Sequence, residues 1–165
     1  MPLDSRLAPT GVLIIRVTLG LMYLMHSIVL KLLTFGLAGT AGFFVSVGLP
    51  APLAYLTFAA EAVGGVLLVL GIQARWVALA LLPPLLGAII WVHGANGWVF
   101  NAAGGGWEYP AVLIAVSVAL ALLGDGALAL VPSSLPRPQT VQVQPRAFAS
   151  EARPGLDPGV DTGSR

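Results

Sequence analysis

AYLTFAAEAVGGVLLVLG, at residues 54–71, carries a single formal charge, Glu61, in an otherwise apolar run. Its length is near the roughly 20 residues that cross a hydrocarbon core of about 30 Å. An ionised carboxylate in hydrocarbon costs several kcal/mol unless a partner pairs with it or a proton neutralises it. The run therefore raises two questions: whether the whole chain is built for lipid, and what Glu61 faces.

Composition answers the first. Of 165 residues 57% are hydrophobic and only 9% charged, with a mean hydropathy of +0.90. A soluble domain carries about a quarter charged residues. Four apolar segments stand out, at residues 12–30, 53–70, 76–92 and 109–123. Strong helix formers dominate them and no period-2 alternation appears, which favours helices over a β-barrel. The expected architecture is an all-α integral membrane four-helix bundle over residues 1–130, followed by a Pro-rich disordered cytoplasmic tail over 131–165. Arg16, His26 and Lys31 break up the first segment and its exit, so it reads as a retained helix rather than a signal peptide, whose apolar core spans about 7–15 residues.

Four crossings place both termini on one side. Arg6, Arg16 and Arg75 flank that side and Arg137, Arg146, Arg153 and Arg165 lie in the tail, so the positive-inside rule makes it cytoplasmic. Trp98, Trp107 and Tyr109 mark the outer boundary, where amphipathic rings favour the interface. The first connection is rich in Gly and Pro yet contains Phe35, Phe43, Phe44 and Val45, which predicts a short interfacial helix over 38–47. The tight GIQAR link at 71–75 makes the second and third helices antiparallel neighbours. Pro83 and Pro84 predict a kink in the third.

Counting about 1.5 Å per residue from the segment ends gathers His26, Lys31, Glu61, His93, Asn96 and Glu108 in the outer half of the bundle. With Arg16, nearer the cytoplasmic end, and Tyr109 they form the candidate polar pocket. Such a pocket can hold a small polar ligand or a quinone headgroup, or move protons, because a histidine and a carboxylate tune one another's pKa. A purely structural account is equally concrete: Glu61 satisfies Arg16 or His26 and ties two helices, while Lys31 and Glu108 form an interfacial pair. Ala60, Gly64 and Gly65 provide small surfaces for close helix packing around Glu61.

Several chemistries find no support. The chain has no cysteine and a net charge of +1, which removes thiolate metal sites and argues against nucleic acid as a partner. Neither histidine belongs to a recognisable metal motif, and haem with two histidine ligands would require both to face inward at similar depth. No metal is expected and no cofactor is evident beyond a quinone.

Taken together, LIIRVTLGLMYLMHSIVLKL at 13–32, GLPAP at 48–52, EAVGGVLLVLG at 61–71 followed by Arg75, GGWEYP at 105–110 and LALLGDGALAL at 120–130 resemble the DoxX family of small four-helix bacterial membrane proteins. Two departures stand out: Ser27 follows the first-helix histidine where the family commonly has Gly, and the family's third helix usually lacks the Pro83–Pro84 pair. The resemblance implies a multi-pass protein of the bacterial inner membrane. It also implies an association with quinone-coupled sulfur oxidation, terminal oxidases or redox-stress enzymes, as in some relatives. By family matching, Arg16, His26, Lys31, Glu61, Gly64, Gly65, Glu108 and Tyr109 are the positions to test.

Two functional readings follow. In the first, the chain is an accessory or anchor subunit of a sulfur- or quinone-linked redox assembly. In the second, it is a quinone-interacting oxidoreductase subunit in which Glu61 and His26 carry protons. A small-solute carrier is a third reading, against which stands the little room one four-helix unit has for alternating access. The partners left open are the lipid bilayer, redox enzyme subunits and further copies of the chain.

Overall fold

A computed structural model describes residues 5–134. Among the described residues every regular element is helical, and pairing between extended segments is limited to an isolated parallel bridge, Ile72 to Val131. Helix α1, Ala8–Leu24, carries Pro9 in its first turn, where a missing N–H costs nothing, and runs on without interruption as a π-helical segment, Met25–Thr34. Helix α2, Gly36–Ser46, is the short helix expected in the first connection. Helix α3, Pro52–Leu70, holds Glu61. Helices α4, Ala74–Ala80, and α5, Leu82–Gly87, continue into a π-helical segment, Ala88–His93, and a 3₁₀ turn, Gly94–Asn96. Helix α6 is Glu108–Leu123.

Three of these helical runs are long and apolar enough to cross a membrane: Ala8–Thr34, Pro52–Leu70 and Ala74–Asn96. Helix α6 is equally apolar but has 16 residues, about 24 Å of helix.

Both ends of α3 are written in its sequence. Pro52 opens it and Gly71 closes it at φ 71°, with Ile72 N–H on the Leu67 carbonyl at 2.9 Å and Gly71 N–H on Leu68 at 3.2 Å. This is the left-handed glycine stop that satisfies the last carbonyls. The expected break in the third span falls at Leu81, between α4 and α5, immediately before Pro83 and Pro84. The Tyr23 hydroxyl, from α1, donates to the Leu81 carbonyl at 3.3 Å, so a neighbouring helix serves the disturbed backbone.

Helix α1 packs chiefly along α3, and glycines set the approach. A Cβ on Gly20 would fall 2.8 Å from the Gly65 carbonyl oxygen, and one on Gly65 would fall 2.9 Å from that of Gly20. Gly64 faces Leu81 instead, and Ala60 packs on the core edge. Leu19, Tyr23, Leu68, Ala78, Leu81 and Leu120 form the core where the helices meet.

Beneath that core the chain after α6 folds back over the α3–α4 turn. Val131 exchanges backbone bonds with Gly71 and Gln73, and Ala127 N–H donates to Pro9. Asp125 accepts from Ala74 N–H at 2.6 Å, from Ser133 N–H at 2.8 Å and from the Ser133 hydroxyl. Arg75 donates to the Ala121 and Leu122 carbonyls at the end of α6, where a cation complements the helix dipole. Ordered packing thus reaches past the expected boundary at 130, and the rest of the expected tail lies outside the described residues.

Candidate functional site

A cavity of about 980 Å³ occupies the other half of the molecule, enclosed by the continuation of α1, by α2, α3, α5 with its π-helical extension, and the start of α6. Its walls are largely Leu, Phe, Val and Pro. The ionisable groups that line it are His26, Lys31, Glu61, His93 and Tyr109, together with Tyr23.

Winding explains how the first span contributes two of them. Residues five apart on an α-helix point about 140° from one another. Where the hydrogen bonds run from residue i to i+5, such residues lie about one turn apart instead. The bond from Phe35 N–H to the Leu30 carbonyl, 2.9 Å long, is of this kind. His26 and Lys31, both in the π-helical stretch, therefore face the same cavity. Ser27, fully buried, donates its hydroxyl to the Tyr23 carbonyl at 2.7 Å where the winding changes.

Lys31 Nζ meets Glu61 Oε2 at 2.6 Å. This answers what Glu61 faces, and it replaces both expected arrangements. Glu61 ties to neither Arg16 nor His26, and Glu108 accepts from Phe100 N–H at 3.1 Å rather than pairing with Lys31. The reason is depth. With Gly20 set over Gly65, Arg16 comes level with Gly71, ten residues or about 15 Å along α3 from Glu61. Arg16 is fully buried there and donates to the Ala127 carbonyl at 3.1 Å, while its Nε and Nη1 have no partner among the described residues. It belongs to the opposite end of the bundle.

The two histidines share one feature. His26 Nδ1 lies 3.3 Å from the Met22 carbonyl and His93 Nδ1 lies 2.9 Å from that of Gly105. A carbonyl only accepts, so each Nδ1 carries a proton, and in the neutral form of either ring Nε2 is the lone-pair acceptor. The His26 ring stacks on Tyr109, with centroids 6.4 Å apart and planes 20° from parallel. Asn96 does not line the cavity: its Nδ2 donates to Val92, Gly104 and Gly105 carbonyls and organises the loop before α6. Glu108 serves the same loop, where Trp98 and Trp107 pack edge to face at 4.5 Å.

Of the eight candidate pocket residues, then, five meet around the cavity, and Arg16, Asn96 and Glu108 do other work. Three polar residues that line the cavity, Tyr23, Thr40 and Thr57, escaped the sequence reading. Tyr23 is 1% exposed and mid-span, although tyrosine favours membrane interfaces, and that misplacement was its signal. Thr40 donates to the Lys31 carbonyl at 3.1 Å and to Gly36 at 3.0 Å, fastening α2 over the ion pair. No group of three or more His, Cys, Asp or Glu side chains able to hold a metal ion occurs among the described residues.

The sequence model of the DoxX family matches residues 11–94. The chain belongs to the DoxX family. A Bacillus subtilis (strain 168) protein named "Putative oxidoreductase CatD" is 38% identical over 123 residues, which cover 74% of this chain and 85% of that protein. No solved structure matches the chain. The DoxX match contains Tyr23, His26, Lys31, Glu61 and His93 and ends before Tyr109, so five of the six ionisable groups that line the cavity lie within the family's own segment.

Proposed function

We propose that this DoxX-family protein is the membrane-embedded subunit of an oxidoreductase and that its cavity holds a quinone headgroup. The observation that carries the reading is the ion pair of part-buried Lys31 with buried Glu61 in the wall of a large apolar cavity. A ligand pocket of about 300–1,000 Å³, mostly apolar with a few convergent polar groups, is the usual form of a small-molecule site. A quinone offers two carbonyl acceptors, and its reduced form offers two hydroxyl donors. Lys31 and the Tyr109 hydroxyl can donate to the first, and the free Nε2 atoms of His26 and His93 can accept from the second. A bound quinone would supply reversible two-electron, two-proton chemistry. The chain's part is to orient the headgroup, keep bulk water out and hold a proton on Glu61 or His26.

In this reading the protein crosses the bacterial inner membrane four times, with α6 as the fourth crossing and both termini in the cytoplasm. The short α6 suits a crossing in which Trp98, Trp107 and Tyr109 hold its outer end at the interface. The name of the Bacillus relative agrees with a redox role.

The test is titration of a short-chain benzoquinone into the purified protein and into Glu61→Gln. Saturable binding weakened about tenfold or more in the variant, about 1.4 kcal/mol, is expected. Folded wild-type protein that binds no quinone would leave the accessory-subunit reading in its place, with Glu61 as a tie between helices.

A further inference from the structure

The cavity is open on one flank. Its floor lies where α3 meets the third span: a Cβ on Gly64 would fall 2.8 Å from the Leu81 side chain, and Tyr23 reaches the Leu81 carbonyl at the same level. Below that level α4 packs against α3. Above it the third span turns away, because α5 and the Ala88–His93 segment lean on α6, while α3 keeps α2 and the continuation of α1 as its neighbours. Pro83 and Pro84 stand at the point of divergence and line the cavity.

Leu53 and Leu56 on α3, Ala88 and Trp91 on the third span, and Phe43 on α2 line the cavity on this flank. Leu56 is 63% exposed, Phe43 48% and Trp91 46%, although all three also border the cavity. In the four-crossing reading above, Leu56 lies five residues, about 7.5 Å, outward of Glu61 and four residues inside the start of α3, which puts it within the hydrocarbon. An apolar mouth at that depth adjoins acyl chains, not water.

We propose that this gap is a lateral portal, through which a quinone carrying a long apolar tail enters from the bilayer, headgroup first, leaving its tail between Leu56 and Trp91. The proposal rests on the quinone reading above and names the class of ligand: prenylated or alkylated quinones rather than water-soluble ones. The Pro83–Pro84 break is the device that holds the portal open. Without it, a straight third span would run beside α3 along its length, as α4 does, and close the flank.

The test uses the full chain in lipid nanodiscs, with tryptophan fluorescence quenching by a benzoquinone bearing a decyl tail and by the same ring without it. Two variants narrow the portal in different ways: Leu56→Phe with Ala88→Phe fills the mouth, and Pro83→Ala with Pro84→Ala restores the helix. The association rate of the tailed quinone is expected to fall about tenfold or more in both, and by several-fold more than that of the tailless ring. If the proline variant fails to fold, the mouth-filling pair decides alone. Equal effects on the two ligands, or none on either, would overturn the portal and leave the headgroup site standing. Wild-type protein that takes the tailless ring but not the tailed one would do the same. Wild-type protein that binds neither would bring down the portal and the quinone reading together.

Discussion

Glu61 and Lys31 each leave a problem if the other is removed. A buried ion pair is close to neutral against a well-packed apolar replacement, yet deleting one member strands the other and costs about 3–5 kcal/mol. Lys31→Met and Glu61→Leu should therefore each lower the unfolding midpoint in detergent, and the double variant should recover most of that loss. Quinone binding should follow a different pattern, lost in the double variant as in the singles. Recovery of both stability and binding would show the pair to be a strut and nothing more. The importance of Glu61 was legible in the sequence because one carboxylate in eighteen residues of lipid-soluble helix has few excuses. Its partner was not. Excluding Arg16 requires the register of two antiparallel helices, which rests on the contact of Gly20 with Gly65, where Gly20 passes for an ordinary small residue in an apolar run, and bringing Lys31 to Glu61 requires the winding of the first span as well.

At the scale of the element, hydropathy located the three helical runs long and apolar enough to cross a membrane, because backbone placed in lipid has to be helical, and prolines and glycines located ends and the break. What hydropathy does not carry is winding. An α-helix and a π-helix of the same composition are equally apolar, but they send Lys31 to different sides, and only the π-helical path aims it with His26 at one cavity. The close crossing of α1 and α3 yields its own prediction. Gly20→Val places methyl groups where the Gly65 carbonyl and Val69 already lie. Overpacking of this kind costs about 1–3 kcal/mol, so the variant should melt earlier. Gly11→Ala on the same helix, with open space at its Cβ, should not, and thermal unfolding monitored by circular dichroism compares the two.

Across the whole molecule the two ends are built differently: one is hollow, and the other is laced shut by residues 124–133. Asp125 is the knot of that lacing. Burial alone would push its carboxyl up, but hydrogen bonds from Ser133 and from the backbone of Ala74 and Arg75 outweigh burial and hold it below the ordinary carboxylate value. A carboxyl whose pKa is depressed by folding stabilises the fold fully above its unfolded value, near 3.9, and loses that contribution as pH falls through the lower folded value. Stability measured from pH 6 down to about pH 2 should thus drop in the acid limb for wild type, with Asp125→Asn less stable at neutral pH and flatter below about pH 4. The lacing itself was not foreseen. Gly124, Asp125 and Gly126 follow the last apolar segment, and nothing local tells a chain that leaves there from one that folds back under its own bundle.

The packed layer of Leu19, Leu68, Leu81 and Leu120, each no more than 2% exposed, separates those two ends. Most of a transmembrane voltage falls across such a dry, low-dielectric layer, and work is done only by charge that passes through it, about 2.3 kcal/mol per charge for each 100 mV. Lys31, Glu61 and His26 all lie to one side of the layer. In the quinone reading proposed above, a proton that reaches or leaves them from that same side does not pass through the layer, so quinone reduction in the cavity is expected to run at the same rate in a polarised membrane as in a discharged one.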